Sequence, residues 1–404
     1  MELLVIARFR FKLGLGLFCF LALQAHAEGI IDFQPFVRAG MMYDDNLFRF
    51  SSKAQANAAG FSTLSDTVKT LDAGAQLNLR LSRQMVRATA SISDNQHNRY
   101  GFLDNTAKSY GITWDWRLGN SVYGDLSTSL NQSVAGFNDT EIVLRNLRTV
   151  KRQRASINWN VLSTWTLYGL TEKSDLENDE LAFQPLDRED DSYELGTRYT
   201  TTSGTQVGLF YRYLKSDYVS RSGSTALIFG KENDQKQVGV NLAWVPTLKT
   251  RVTGQISTIR FQREDALQDD FNGLSQRWNL DYAWSGKTSF GFTAYRELAS
   301  VDDLLSTYVL FKGASANADW RMTSKLSLNA SYGIGEREFL GGSSIFFSPL
   351  AREDSTKRFG FNVAYTPTDH ALLQLRFVDE DRDSNLANFA YQFQSIQLVG
   401  QYNF

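Results

Sequence analysis

Few residues in this chain could do chemistry, and their spacing argues against catalysis. Beyond the first 27 residues there are two histidines, His97 and His370. His97 lies close to Asp94, a fragment of a hydrolase pairing, but no nucleophile stands at a telling position. His97 ends a strand-like segment on the side of a long loop, whereas His370 opens one beside a short turn. Strands that cross a membrane would hold the two a bilayer apart. A solvated loop histidine is the plainer reading. No glycine-rich phosphate loop and no histidine spacing for a metal occurs. The sequence assigns no catalytic residue, no metal ligand and no cofactor.

The charged residues carry more information. Arg80, Arg87, Arg117, Arg154, Arg198, Arg212, Arg277, Arg358 and Arg376 all fall on the polar phase of alternating segments, opposed there by Asp72, Asp115, Glu194 and Asp281. On the wall of a confined aqueous tube such a surplus would favour anions. The other reading is that these arginines pair with carboxylates at one rim. Acidic residues crowd elsewhere: Asp175, Glu177, Asp179, Glu180, Asp187, Glu189, Asp190 and Asp191 in one stretch, Asp379, Glu380, Asp381 and Asp383 in another. They fit a divalent-cation site near lipopolysaccharide or at a polymer exit, or a solvated, disordered loop.

The ends of the chain set the compartment. Arg8, Arg10 and Lys12 precede an apolar run, Leu13 to Leu23, and Ala25-His26-Ala27 forms a small-x-small cleavage site. Residues 1–27 thus read as a cleaved secretory signal and residues 28–404 as one exported domain. The apolar run is too short for a spanning helix, which needs about 20 residues. Cys19, the only cysteine, leaves with the signal. The remaining chain then offers no thiol for catalysis, disulfides or metals. Of 42 basic and 44 acidic residues, three basic and one acidic lie in the leader. The mild acidic balance left behind does not suggest nucleic acid.

A period of two positions these residues. From Lys69 to Ser82, Leu71, Ala73, Ala75, Leu77, Leu79 and Leu81 alternate with Asp72, Gly74, Gln76, Asn78 and Arg80. Similar alternation fills 109–119, 277–285 and 358–365, and puts apolar and polar side chains on opposite sheet faces. A soluble sandwich alternates too. Three features separate the two: Trp and Tyr recur at strand ends on the apolar face, connections alternate between short and long, and the last segment, Ser395 to Phe404, closes on an aromatic residue. Short turns fall near 82–84, 119–120, 162–164, 202–204, 246–248, 285–287, 322–324 and 367–369. Long polar loops fall near 44–65, 96–106, 132–146, 176–189, 219–232, 262–271, 299–305, 339–354 and 383–389. Eight turns and nine loops predict an all-β, antiparallel, up-and-down transmembrane barrel of about 18 strands in the bacterial outer membrane, with both termini on the periplasmic side. Sixteen strands remain open, because Thr258-Ile259 and Phe393 break the phase as bulges would. Phe404 is the expected C-terminal assembly signal, which makes outer-membrane lipid and the barrel-assembly machinery the expected partners.

The stretch Tyr43-Asp44-Asp45-Asn46-Leu47-Phe48-Arg49 resembles the opening of EpsL-type outer-membrane proteins, and the likeness continues through Leu81-Ser82-Arg83-Gln84, residues 98–104, 114–120 and 145–149, covering roughly 33–215. The resemblance implies a role in exopolysaccharide production or export, with polysaccharide and periplasmic export components as partners. It brings no catalytic residues. Tyr43, Asp44, Asp45 and Asn46 read equally as a polar strand exit with Asx turns and no ligand. The sequence therefore carries three functions: passage of a polymer through a polar lumen, a general diffusion porin for small anionic solutes, and a barrel that only displays loops.

Overall fold

The computed structural model describes residues 31–263, 270–299, 308–340 and 352–404. The expected signal peptide and parts of three long loops lie outside them. The strands are β1 (Ile31–Asp44), β2 (Asp66–Leu81), β3 (Gln84–His97), β4 (Asn105–Leu118), β5 (Val122–Val134), β6 (Leu147–Asn160), β7 (Trp165–Asn178), β8 (Arg188–Thr200), β9 (Gln206–Asp217), β10 (Glu232–Thr247), β11 (Thr250–Arg263), β12 (Phe271–Ala283), β13 (Thr288–Ala299), β14 (Tyr308–Arg321), β15 (Leu326–Leu340), β16 (Glu353–Thr368), β17 (Ala371–Ser384) and β18 (Tyr391–Asn403). Each pairs antiparallel with its chain neighbours, and β1 pairs with β18 from Phe36↔Asn403 to Asp44↔Ser395. The sheet closes into an 18-stranded barrel with no edge, so every strand is paired on both sides.

The outward phase is apolar through the middle of the strands. Leu126, Ile157, Leu195, Leu209 and Leu398 are exposed there. Aromatic residues mark its lower border: Trp159, Trp165, Trp244, Trp284, Trp320, Tyr365, Tyr402 and Phe404 are all exposed beside the short turns. This apolar band with an aromatic girdle is the lipid-facing surface of an outer-membrane protein. Phe404 donates its backbone N–H to the Pro35 carbonyl at 2.9 Å and packs edge-on against Tyr402, so the last residue sits on the seam where β1 and β18 close.

The turns are tight. Ser82 (φ 56°) and Gly119 (φ 59°) take the left-handed backbone that short hairpin turns require.

The two expected bulges are absent. Pairing runs without a shift through Val238↔Thr258 and Gln237↔Ile259, and through Glu380↔Phe393. The phase changes because apolar residues turn inward: Ile259, Phe261 and Phe393 are buried, the first two packed with Tyr308 and the third with Val378 and Tyr391. Register does shift at Trp244/Thr247 and at Tyr365/Thr368. Those shifts enclose Pro246 and Pro367, which cannot donate to the ladder. The acidic stretch is likewise not a disordered loop. Asp175 and Glu177 lie on β7 and Glu189 to Asp191 on β8, where Lys151 meets Glu177 at 2.9 Å and Lys173 meets Glu189 at 2.8 Å.

Candidate functional site

The first loop turns over the barrel mouth at once. Asp44 accepts from the backbone N–H of Asn46 at 2.9 Å and pairs with Arg49 at 2.9 Å. Asn46 donates to the carbonyls of Phe50 and Gln392 and accepts from the Phe50 N–H. Asp45 accepts from the N–H of Gln394 at 2.7 Å. Arg49 has φ 59° and stacks on Phe393 at 3.5 Å, which holds it in that uncommon backbone. The Tyr43 to Asn46 stretch is thus a strand-exit turn, with Tyr43 exposed on the outer face. Behind it the loop carries a short helix, α1 (Lys53–Ala58), capped by Ser52. Phe48, Phe50, Ala56 and Leu103 form a buried cluster that Phe61, Tyr100 and Phe137 join. The cluster ties together the loops after β1, β3 and β5.

The loop after β5 reaches across to β15 and β17. Asp139 meets Arg337 of β15 at 2.8 Å, Arg382 of β17 at 3.1 Å and Arg352 before β16 at 3.5 Å. The pair β5–β6 lies nearly opposite β15–β17 around the ring, so this loop crosses the lumen. Asp354 closes the cluster from below, 2.7 Å from Arg352 and 3.7 Å from Arg382. Arg382 is fully buried and lies over the Tyr391 ring at 4.6 Å, while its Nε and Nη2 have no hydrogen-bond partner among the described residues. Arg352 lies between Phe389 and Phe339 at 3.7 and 4.1 Å. Three guanidiniums thus converge on two carboxylates where little water screens them. The loops after β7 and β9 are joined separately. Arg221 stacks on Tyr218 at 3.4 Å and donates to the carbonyls of Pro185, Phe229 and Gly230. Burial pushes its pKa down to about 10, so it remains charged at neutral pH.

Below this constriction the nine arginines expected on the wall are all inward in phase. Five are paired: Arg87–Asp115 at 2.6 Å, Arg154–Asp125 at 3.7 Å, Arg212–Glu194 at 2.6 Å, Arg277–Glu297 at 2.5 Å and Arg358–Glu380 at 2.7 Å. Asp125, Glu297 and Glu380 lie on the same inward phase and add to the acids expected on the wall. Of the other four, Arg117 lies over Tyr123 and Arg198 over Tyr168, each at 5.3 Å. The side chains of Arg80 and Arg376 have no ion-pair or hydrogen-bond partner among the described residues. Asp72, the most buried of the expected wall acids, pairs with Arg38 at 3.2 Å, and Asp281 faces Arg251 across β11–β12. Two further acids, Asp32 and Asp319, are held by side-chain amides. The wall keeps a small basic surplus after pairing. Asp139, Arg337, Arg352 and Arg382 were not foreseen: Arg337 and Arg382 sit on the inward phase and were legible, but nothing in the loop singles out Asp139. The histidines stay at opposite ends, with His97 near Asp104 at 3.4 Å and His370 near the Asn403 carbonyl at 3.0 Å.

A closed barrel with a lipid-facing band and a loop-constricted lumen defines an outer-membrane protein of porin architecture. No family model matches the sequence, and no curated protein is similar to it. Among solved structures it is similar to Pseudomonas aeruginosa OpdQ, at 13% identity over 93% of this chain and 98% of that one, with a TM-score of 0.51. A BenF-like porin from Pseudomonas fluorescens Pf-5 matches at 13% identity over 92% and 98%, with a TM-score of 0.53. Pseudomonas aeruginosa OccK2, crystallised with glucuronate, matches at 9% identity over 93% and 98%, with a TM-score of 0.50. These likenesses establish the fold. They also overturn the resemblance to EpsL-type exopolysaccharide proteins, because the architecture matched end to end is that of porins. The motif that suggested it is accounted for by the turn that folds the first loop inward.

Proposed function

We propose that the barrel is a diffusion channel for small solutes and favours anions. The observation that carries this reading is the surplus of inward arginines, Arg80, Arg117, Arg198 and Arg376, below a lumen narrowed by the loop that holds Asp139. A confined wall with net positive charge raises the local anion concentration and repels cations. The crossing loop limits the passage to compact molecules. The glucuronate complex of OccK2 gives one instance in the same architecture of a small carboxylate as ligand. The mechanism is passive and needs no bond chemistry. It is tested by the zero-current potential of the purified barrel in a planar bilayer under a potassium chloride gradient. At about 0.1 M salt, where charges act over about 10 Å, chloride is expected to be the more permeant ion. Preference for potassium would exclude the anion reading.

A further inference from the structure

The outward face above the apolar band carries basic residues at similar heights on successive strands. Several hold a carboxylate: Lys151 meets Glu177, Lys173 meets Glu189, Lys215 meets Glu232 at 2.8 Å, and Lys312 meets Glu338. Lys108 and Lys357 have no such partner among the described residues, and at one place two unpaired cations face each other. Lys236 of β10 and Arg260 of β11 are Cα partners in the ladder, both exposed, both on the outward phase with Val238 and Val240. Neither side chain has a hydrogen-bond or ion-pair partner among the described residues. Like charges directly opposite on neighbouring strands repel. The carboxylate two positions above, Asp234, accepts from the Tyr213 hydroxyl at 2.8 Å instead.

The height of the pair is informative. Lys236 stands ten residues before the turn at Pro246, and Arg260 ten after Thr250. A strand tilted by about 40° gains roughly 2.6 Å of height per residue, which puts both near 26 Å, at the top of an apolar band about 25 Å tall. Immediately below lie exposed Tyr211, Val238, Val240 and Leu274. A ligand here would meet two cations at its head and apolar surface along its tail.

We propose that Lys236 and Arg260 bind a phosphate group of an outer-leaflet glycolipid, lipid A of lipopolysaccharide, whose acyl chains lie on the surface below. Arginine grips a phosphate through two parallel N–H donors, and lysine adds a point charge. The phosphate removes the repulsion between the two strands. Asn272, the ladder partner of Arg260 on β12, adds an amide at the same height.

The test uses the purified full-length barrel in a non-ionic detergent. Binding of bisphosphorylated lipid A is measured by native mass spectrometry, alongside dephosphorylated lipid A and inorganic phosphate. The wild-type protein is expected to retain bisphosphorylated lipid A and to bind the other two at least about tenfold more weakly. The Lys236→Ala, Arg260→Ala double variant, shown to be folded by its heat-modifiable gel mobility, is expected to lose about tenfold in affinity for the phosphorylated lipid. Unchanged binding by the folded double variant would overturn the proposal. So would equal binding of both lipids by the wild type, a result that does not depend on how the variant folds. Binding of inorganic phosphate as tight as that of the lipid would overturn it as well, because the site would then be a simple anion site.

Discussion

Replacing Asp139 with alanine is expected to raise single-channel conductance at least about twofold, as the loop after β5 leaves the lumen. Asp139 is the carboxylate shared by Arg337, Arg352 and Arg382, and its side chain is only 19% exposed. Removing one member of such a buried arrangement costs about 3 kcal/mol, because the guanidiniums left behind stay desolvated. That is roughly two orders of magnitude in the balance between a loop held across the lumen and one released from it. The Asp139→Asn variant keeps the shape but not the charge and is expected to behave like alanine. Arg382→Met should shift the balance the same way by a smaller amount, since Arg337 and Arg352 would still hold the carboxylate. Wild-type conductance in the folded Asp139→Ala barrel would mean that the loop is held by the aromatic cluster around Phe48 and Phe137 rather than by charge.

The second large effect concerns selectivity. Replacing Arg80, Arg117 and Arg376 together with glutamate changes the wall charge by about six units, well beyond the small basic surplus left after pairing. None of the three has a carboxylate partner among the described residues, so the variant breaks no ion pair. Under a potassium chloride gradient at about 0.1 M salt the sign of the zero-current potential is expected to reverse. At about 1 M, where charges act over only about 3 Å, both proteins should approach the selectivity of bulk solution. Each single replacement should shift the potential only slightly, because exposed charges in wide water-filled regions are well screened. A variant that remains as anion-preferring as the wild type would move the selective step up to the arginines around Asp139.

Much of the barrel was legible because its logic is local. Period-two alternation and turn chemistry placed all eight turns, and the described parts of the nine loops fall where expected. What was not legible depends on which loop enters the lumen. Thr258-Ile259 and Phe393 look like bulges only if inward positions are wet, whereas folded-in loops and rim contacts make that end of the wall apolar and bury Ile259, Phe261 and Phe393. The prolines that do bend the ladder, Pro246 and Pro367, looked like ordinary turn residues. The arginine surplus was overstated for a related reason. Asp125 and Glu297 sit on the inward phase within strands and Glu380 within a run that looked like loop, yet each neutralises an arginine. The constriction itself was invisible, since Asp139 meets its partners about 200 residues or more along the chain. The EpsL-type likeness was carried by a turn motif whose hydrogen bonds need no ligand.

The proposed channel passes small solutes and stops long ones. It is tested most directly by osmotic swelling of liposomes that contain the wild-type barrel, using gluconate, glucose and a ladder of glucose oligomers. Swelling is expected to be fastest with the small anion, slower with glucose, and negligible for the longer oligomers. Swelling that does not fall with chain length, or none with any solute, would contradict the claim.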